Sequence, residues 1–170
     1  MIPARAGIEA LKVAFKSLVV TVSELAQSGT NLDNAELPFF TYLLTPKQTS
    51  RIRAICKQEG WPIPATKGVE IDLNAILHPL ESRKNKDGCP PAFVGDILAE
   101  AYSVNSEIAI NREHNEQALI FNAKKKITYG GSKWHALAVL DVREEGHKKY
   151  LAPITAYHAN EAKIRKIKIK

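Results

Sequence analysis

The chain has 170 residues, with 24 Lys and Arg against 18 Asp and Glu and a formal charge of +6. Hydrophobic residues make up 45% and charged residues 25%, the balance of a folded domain and not of a disordered, collagenous or coiled-coil chain. No apolar run approaches the ~20 residues of a membrane span, and no secretory leader is read at the N-terminus. Two cysteines, Cys56 and Cys89, supply no disulfide framework and no zinc site by themselves.

Residues 6–27 carry Ile8, Leu11, Phe15, Leu18, Val22 and Leu25 at helical spacing, which predicts an amphipathic helix. Ser28-Gly29-Thr30-Asn31 and Asp33-Asn34 break it. Thr45-Pro46 opens a second helix running to Glu59. Gly60-Trp61-Pro62-Ile63-Pro64 reads as a linker, so residues 1–62 are expected to form a helical lead-in and residues 66–170 the main domain. In that domain Val69-Glu70-Ile71 predicts a short strand. Asp72 caps a turn or two of helix over Leu73–Leu77, which Pro79 is expected to end, leaving His78 at a helix terminus. Asp87-Gly88-Cys89-Pro90-Pro91 is a loop and Phe93–Tyr102 a helix.

From there the period shortens towards two. Ser106–Ile110, Gln117–Phe121, His135–Val142 and Tyr150–Tyr157 read as four strands, with turns at 115–116, 124–126 and 143–146. In the tail, Ile164, Ile167 and Ile169 alternate with cations, which predicts a strand or sheet edge. The order is that of an α+β domain, helices first and then an antiparallel sheet.

Residues 1–80 are net +1 and residues 81–170 net +5. The excess lies in Lys124-Lys125-Lys126, Lys148-Lys149 and the tail, and a basic half of this kind suits a polyanion, nucleic acid first. The chain has no Gly-rich phosphate loop, no His-Glu-x-x-His and no Gly-x-Ser-x-Gly, and no metal or cofactor is expected. Histidine, cations and hydroxyls remain. They suffice to cut RNA without a metal: an acid–base pair moves the 2′-OH and leaving-group protons, and cations stabilise the phosphoryl charge. His78 is the candidate acid or base, with Arg83 and Lys84 close by in sequence. Thr155 and Tyr157 lie two apart in a strand and share one face. His158 falls on the opposite face and joins them only where the strand ends or bulges. With Lys124, Lys126 and Lys133 it is assigned to substrate binding.

The run His78-Pro79-Leu80-Glu81, the helix Phe93-Val94-Gly95-Asp96-Ile97-Leu98, then Ala118-Leu119-Ile120-Phe121, Ala136-Leu137-Ala138-Val139 and Pro153-Ile154-Thr155-Ala156-Tyr157 resembles the barnase–EndoU–colicin–RelE nuclease superfamily, in its phage-linked branch. The resemblance covers residues 66–165. It implies helices packed on a curved four-stranded antiparallel sheet, and metal-independent cleavage of tRNA or other cellular RNA to a 2′,3′-cyclic phosphate. It implies a toxin acting in the cytoplasm, delivered as a secreted fragment or with a phage, and neutralised by an immunity protein that the basic half predicts to be acidic. Residue by residue, it assigns the helix-end histidine to His78, the phosphate cation to Arg83 or Lys84, and the polar positions of the last main strand to Thr155 and Tyr157. One departure stands out: His135–Val142 carries no Lys or Arg between its ends, where family members often place a cation. The alternative reading is a non-catalytic RNA-binding module or an interaction module of a phage or secretion system.

Overall fold

The computed structural model describes residues 8–29, 40–65, 67–113 and 117–169. Helix α1 (Ile8–Gln27) is the predicted amphipathic helix, and Leu11, Phe15, Val19 and Val22 form its buried stripe. Strand β1 (Phe40–Leu43) leads into α2 (Pro46–Glu59). The start of α2 follows from its first residues. Thr45 Oγ1 accepts the Gln48 N–H at 3.0 Å, Gln48 Oε1 accepts the Thr45 N–H at 3.2 Å, and proline takes the first helical position. Strand β2 (Gly68–Ile71) then pairs antiparallel with β1, Phe40 opposite Ile71.

The boundary placed at residues 60–64 is not a break in the packing. The β1–β2 ribbon straddles it, and Phe15 stacks on Tyr102 at 5.6 Å. Gln48, itself buried, donates from Nε2 to the Ser103 carbonyl at 2.8 Å and accepts the Tyr42 hydroxyl at 2.9 Å. One apolar core takes residues from both sides. The composition of 60–64 marks a turn within one fold, because the apolar stripe of α1 has to be covered and the later helices cover it.

Helix α3 runs Leu73–Lys86, well past the expected stop, with Pro79 inside it. Asp72 caps it as expected, accepting the Ala75 N–H at 2.9 Å. An interior proline costs about 3 kcal/mol. Leu73, Ile76 and Pro79 are nevertheless buried at helical spacing, with α3 packed along the last strand of the sheet, and that packing carries the helix through. Helix α4 (Pro91–Ala101) lies against α1. Their closest approach is at Gly95, where a Cβ would sit 3.2 Å from the Lys16 Cα. Salt bridges Lys12–Glu100 and Lys16–Asp96, both 2.9 Å, flank the crossing.

The four predicted strands appear as β3 (Glu107–Ile110), β4 (Ala118–Asn122), β6 (Ser132–Glu145) and β7 (Lys148–Ala159). A fifth, β5 (Ile127–Tyr129), was not anticipated; it folds onto the start of β6 through Gly130-Gly131, whose φ values of 59° and 79° suit a tight hairpin. β6 also runs to Glu145, so the expected turn at 143–146 narrows to Gly146-His147. All pairings are antiparallel, and β6 lies between β4 and β7, with Leu137 opposite both Asn122 and Tyr157. The α+β class is as expected, with five strands in the main sheet and a separate two-stranded ribbon. The expected turn at 115–116 lies outside the described residues.

The tail is not a strand. Glu161–Ile169 form helix α5, with Asn160 Oδ1 accepting the Lys163 N–H at 2.9 Å at its start. Ile164 and Ile167 are three apart and both buried, a spacing that puts them on one face of a helix but on opposite faces of a strand.

The two faces of the sheet bury different sets. Leu119, Phe121, Ala136, Ala138 and Leu140 join the core with α1 and α4. Ala118, Ile120, Leu137 and Val139 form a second, smaller core with Ile164 and Ile167 of α5. A β-bulge in β7 sets which residues reach which face. Val139 pairs with Thr155 but Leu140 with Pro153, so Ile154 is the extra residue. Pro153 has no N–H to lose there. The side-chain alternation is thereby inverted, and Leu151 and Ala156, five apart, both lie in the first core.

Candidate functional site

A cleft of about 540 Å³ opens at the end of β7, along that outer edge of the sheet. Its walls come from α3 (Arg83, Lys86), the segment after β3 (Asn111, Glu113), β6 (Trp134, Val139), β7 (Thr155, Tyr157, His158, Ala159) and the start of α5 (Asn160, Lys163). The bulge is what turns Thr155 and Tyr157 into it; in an unbroken strand both would face the helices. Lys163 pairs with Glu113 at 2.8 Å, leaving Arg83 and Lys86 as the cations on the opposite wall.

Arg83 is 7% exposed, and its Nη1 donates to Asp87 Oδ2 at 2.6 Å. Its guanidinium also lies 5.6 Å from the centre of the Tyr157 ring, a cation–π contact. Burial, with the Glu113 charge adding and Arg83 opposing, pushes the Tyr157 phenol up to about 12, so it stays a hydrogen-bond donor at neutral pH. His158 stands edge-on to Trp134 at 4.8 Å, Phe93 at 5.2 Å and Tyr129 at 5.8 Å. Burial lowers its pKa, Asp87 opposing, which favours a neutral imidazole. The Trp134 indole N–H is used internally, donating to the Tyr129 carbonyl at 3.0 Å.

Among the described residues, three polar atoms of this cleft's residues are buried without a hydrogen-bond partner: Arg83 Nε, Thr155 Oγ1 and His158 Nδ1. A buried donor or acceptor left unpaired costs about 1–3 kcal/mol, so three on residues of one cleft have to be explained.

Beside them, Asp87, Cys89 and His158 each bring one ligand-type atom within 4.8 Å of the other two. The Cys89 thiol lies in hydrogen-bonding reach of Asp87 and Tyr129. Burial and the Asp87 carboxylate push that thiol up to about 11, so at neutral pH it is not a thiolate nucleophile. Desolvation raises the Asp87 pKa, but the hydrogen bond to Cys89 and the Arg83 charge outweigh it and hold the carboxyl below its ordinary value.

Of the residues expected from sequence, Arg83, Thr155, Tyr157 and His158 line this cleft, with His158 on the opposite face of β7 from Thr155 and Tyr157, as expected, and reaching the cleft at the strand's end. His78 and Lys84 do not line it; both are exposed. His78 is an interior residue of α3, not a terminal one. It sits next to the buried Pro79 and so about 100° around the helix from it, outside the packed stripe. Lys86 takes the place expected of Lys84. Lys124 lines two other clefts, Lys126 pairs with Glu161 at 3.4 Å, and Lys133 is exposed opposite Thr128 in the β5–β6 hairpin. Sequence reasoning missed Asn111, Lys163, Asp87 and Cys89. No spacing links these distant residues; the bulge, α5 and the full length of α3 bring them together.

A larger cleft of about 620 Å³ includes Lys47, Arg51, Arg112, Lys124 and Lys168 in its lining. Pairing of cations does not separate the two clefts: Arg112 pairs with Glu59 at 2.6 Å and Lys168 with Glu107 at 3.8 Å here, as Arg83 does with Asp87 and Lys163 with Glu113 in the smaller one. Among the described residues, no buried unpartnered side-chain atom belongs to a residue lining the larger cleft. The smaller cleft is therefore the better candidate. No family model, no curated protein and no solved structure matches the chain.

Proposed function

We propose that the cleft at the end of β7 cleaves RNA without a metal, leaving a 2′,3′-cyclic phosphate and a 5′-hydroxyl. The observation that carries this reading is that Arg83, Thr155 and His158, each with a buried polar atom lacking a partner among the described residues, line one cleft with Lys86, a protonated phenol and an indole. Arg83 and Lys86 bind the non-bridging phosphate oxygens, and Thr155 Oγ1 adds a hydrogen bond to the phosphate. His158 takes the 2′-OH proton as O2′ attacks phosphorus. The Tyr157 hydroxyl donates its proton to the 5′ oxygen as the P–O5′ bond breaks, giving the 5′-hydroxyl, and the phenolate regains a proton from solvent while His158 releases the one it took; Trp134 offers a ring edge to a base. The role expected of His78 moves to His158, and that of Lys84 to Lys86. A toxin's place in the cytoplasm and an acidic immunity protein covering the basic cleft belong to the same reading.

The test is incubation of purified protein with total cellular RNA in EDTA, followed by mapping of fragment ends. Wild type and His78→Ala should give the same discrete fragments with cyclic-phosphate ends. His158→Ala should lose about a hundredfold or more in rate, the usual worth of a positioned acid or base. Intact RNA with wild type, or undiminished cleavage by His158→Ala, would overturn the assignment. Salt-sensitive RNA binding without cleavage would favour the non-catalytic module instead.

A further inference from the structure

We propose that Asp87, Cys89 and His158 form a binding site for a zinc-type divalent cation, with a carboxylate oxygen, a thiolate and an imidazole nitrogen as its protein ligands. The three ligand atoms already lie within 4.8 Å of one another. Around zinc, with bonds of about 2.0–2.3 Å, tetrahedral ligands stand roughly 3.3–3.8 Å apart, so closure requires about an ångström of movement. Asp87 and Cys89 lie in the irregular segment between α3 and α4, where rotation of two short side chains provides it.

The donor set selects the metal. A thiolate beside an imidazole suits zinc and disfavours magnesium and calcium, which take oxygen. The surroundings orient the ligands as metal sites require: Asp87 Oδ2 is held by Arg83 at 2.6 Å, and Asp87 Oδ1 accepts the Cys89 N–H at 3.4 Å. His158 is clamped by three aromatic rings, and its buried Nδ1 has no hydrogen-bond partner among the described residues. Binding displaces the Cys89 thiol proton to solvent, with no change in oxidation state; the cation supplies the positive charge that the thiolate otherwise lacks. Three protein ligands leave a fourth position for a water molecule. If His158 is the base of the cleavage reaction, a point that rests on the proposed function, zinc held here withdraws it and arrests cleavage.

The experiment is titration of the full chain with cobalt(II), whose bond to a thiolate gives a charge-transfer band in the near ultraviolet and whose tetrahedral sites absorb in the visible. Wild type and Cys56→Ser should show both bands at one equivalent, and zinc should bleach them. Cys89→Ser should lose the charge-transfer band, and Asp87→Asn and His158→Gln should bind at least tenfold more weakly, with melting curves showing each variant folded. Absence of the band in wild type, or its survival in Cys89→Ser, would overturn the site. These readouts involve no RNA, so the site stands or falls separately from the ribonuclease reading.

Discussion

Towards α1 and α4 the main sheet presents Leu119, Phe121, Ala136, Ala138 and Leu140, all buried among aromatic and aliphatic neighbours. Towards α5 it presents Ala118, Ile120, Leu137 and Val139, and then, past the bulge, Thr155 and Tyr157. Six buried side-chain atoms lack a partner among the described residues. Those of Asn122, His135, Asp141 and Thr155 sit at positions alternating into the α5 face, while Arg83 and His158 flank the cleft. The α5 face thus carries four of the six, and His158, paired with Ala136 and packed on Phe93, brings a fifth from the helix-covered face to the same cleft. Unsatisfied polar groups gather on the α5 face and around the cleft, and that is where a ligand has something to gain.

The largest effect expected from this contrast is on the apolar face. Phe121→Ala removes a fully buried ring in contact with Tyr102 and should cost about 3–5 kcal/mol, read as a lower urea midpoint with cleavage per folded molecule unchanged. Thr155→Val makes the opposite test. It replaces a buried unpartnered hydroxyl by a methyl of the same shape, so stability should hold or rise by up to about 1 kcal/mol while activity falls. A marked loss of stability would show that Thr155 belongs to the scaffold. The smallest effect is at the α1–α4 crossing. The hydrogen bond to Glu100 holds the Lys12 ammonium above its ordinary value of 10.5, against the opposing effect of burial. A raised folded-state pKa contributes stability that is fully present below 10.5 and is lost as pH rises through the folded value. The urea midpoint should fall through that alkaline window in wild type and show no such component in Lys12→Met.

Local signals were legible in the sequence. Thr45-Pro46-Lys47-Gln48 contains a complete capping box, and Asp72 caps α3. The helical spacing of α1 and the period-two stretches gave the main strands, and Thr155 and Tyr157 were rightly placed on one face. What failed depended on tertiary packing. Pro79 reads as a stop, but the burial of Leu73, Ile76 and Pro79 overrides it and lifts His78 out of any helix-end site. Ile167 and Ile169 suggest period two, but Ile164 and Ile167 are three apart, and their burial together in the second core goes with the helix. The bulge at Ile154 is silent apart from Pro153, yet it decides that Thr155 and Tyr157 face the cleft. The convergence of Asp87 and Cys89 with His158 is a long-range consequence that spacing does not contain.

The most direct test of the cleft's role is a nuclear magnetic resonance titration of isotope-labelled protein with a deoxydinucleotide, which carries the phosphodiester but lacks the 2′-OH and is not cut. The account predicts that perturbations centre on Arg83, Lys86, Trp134, Thr155, Tyr157 and His158. Perturbations confined to the larger cleft of Lys47, Arg51, Lys124 and Lys168, or to the basic tail, would contradict it.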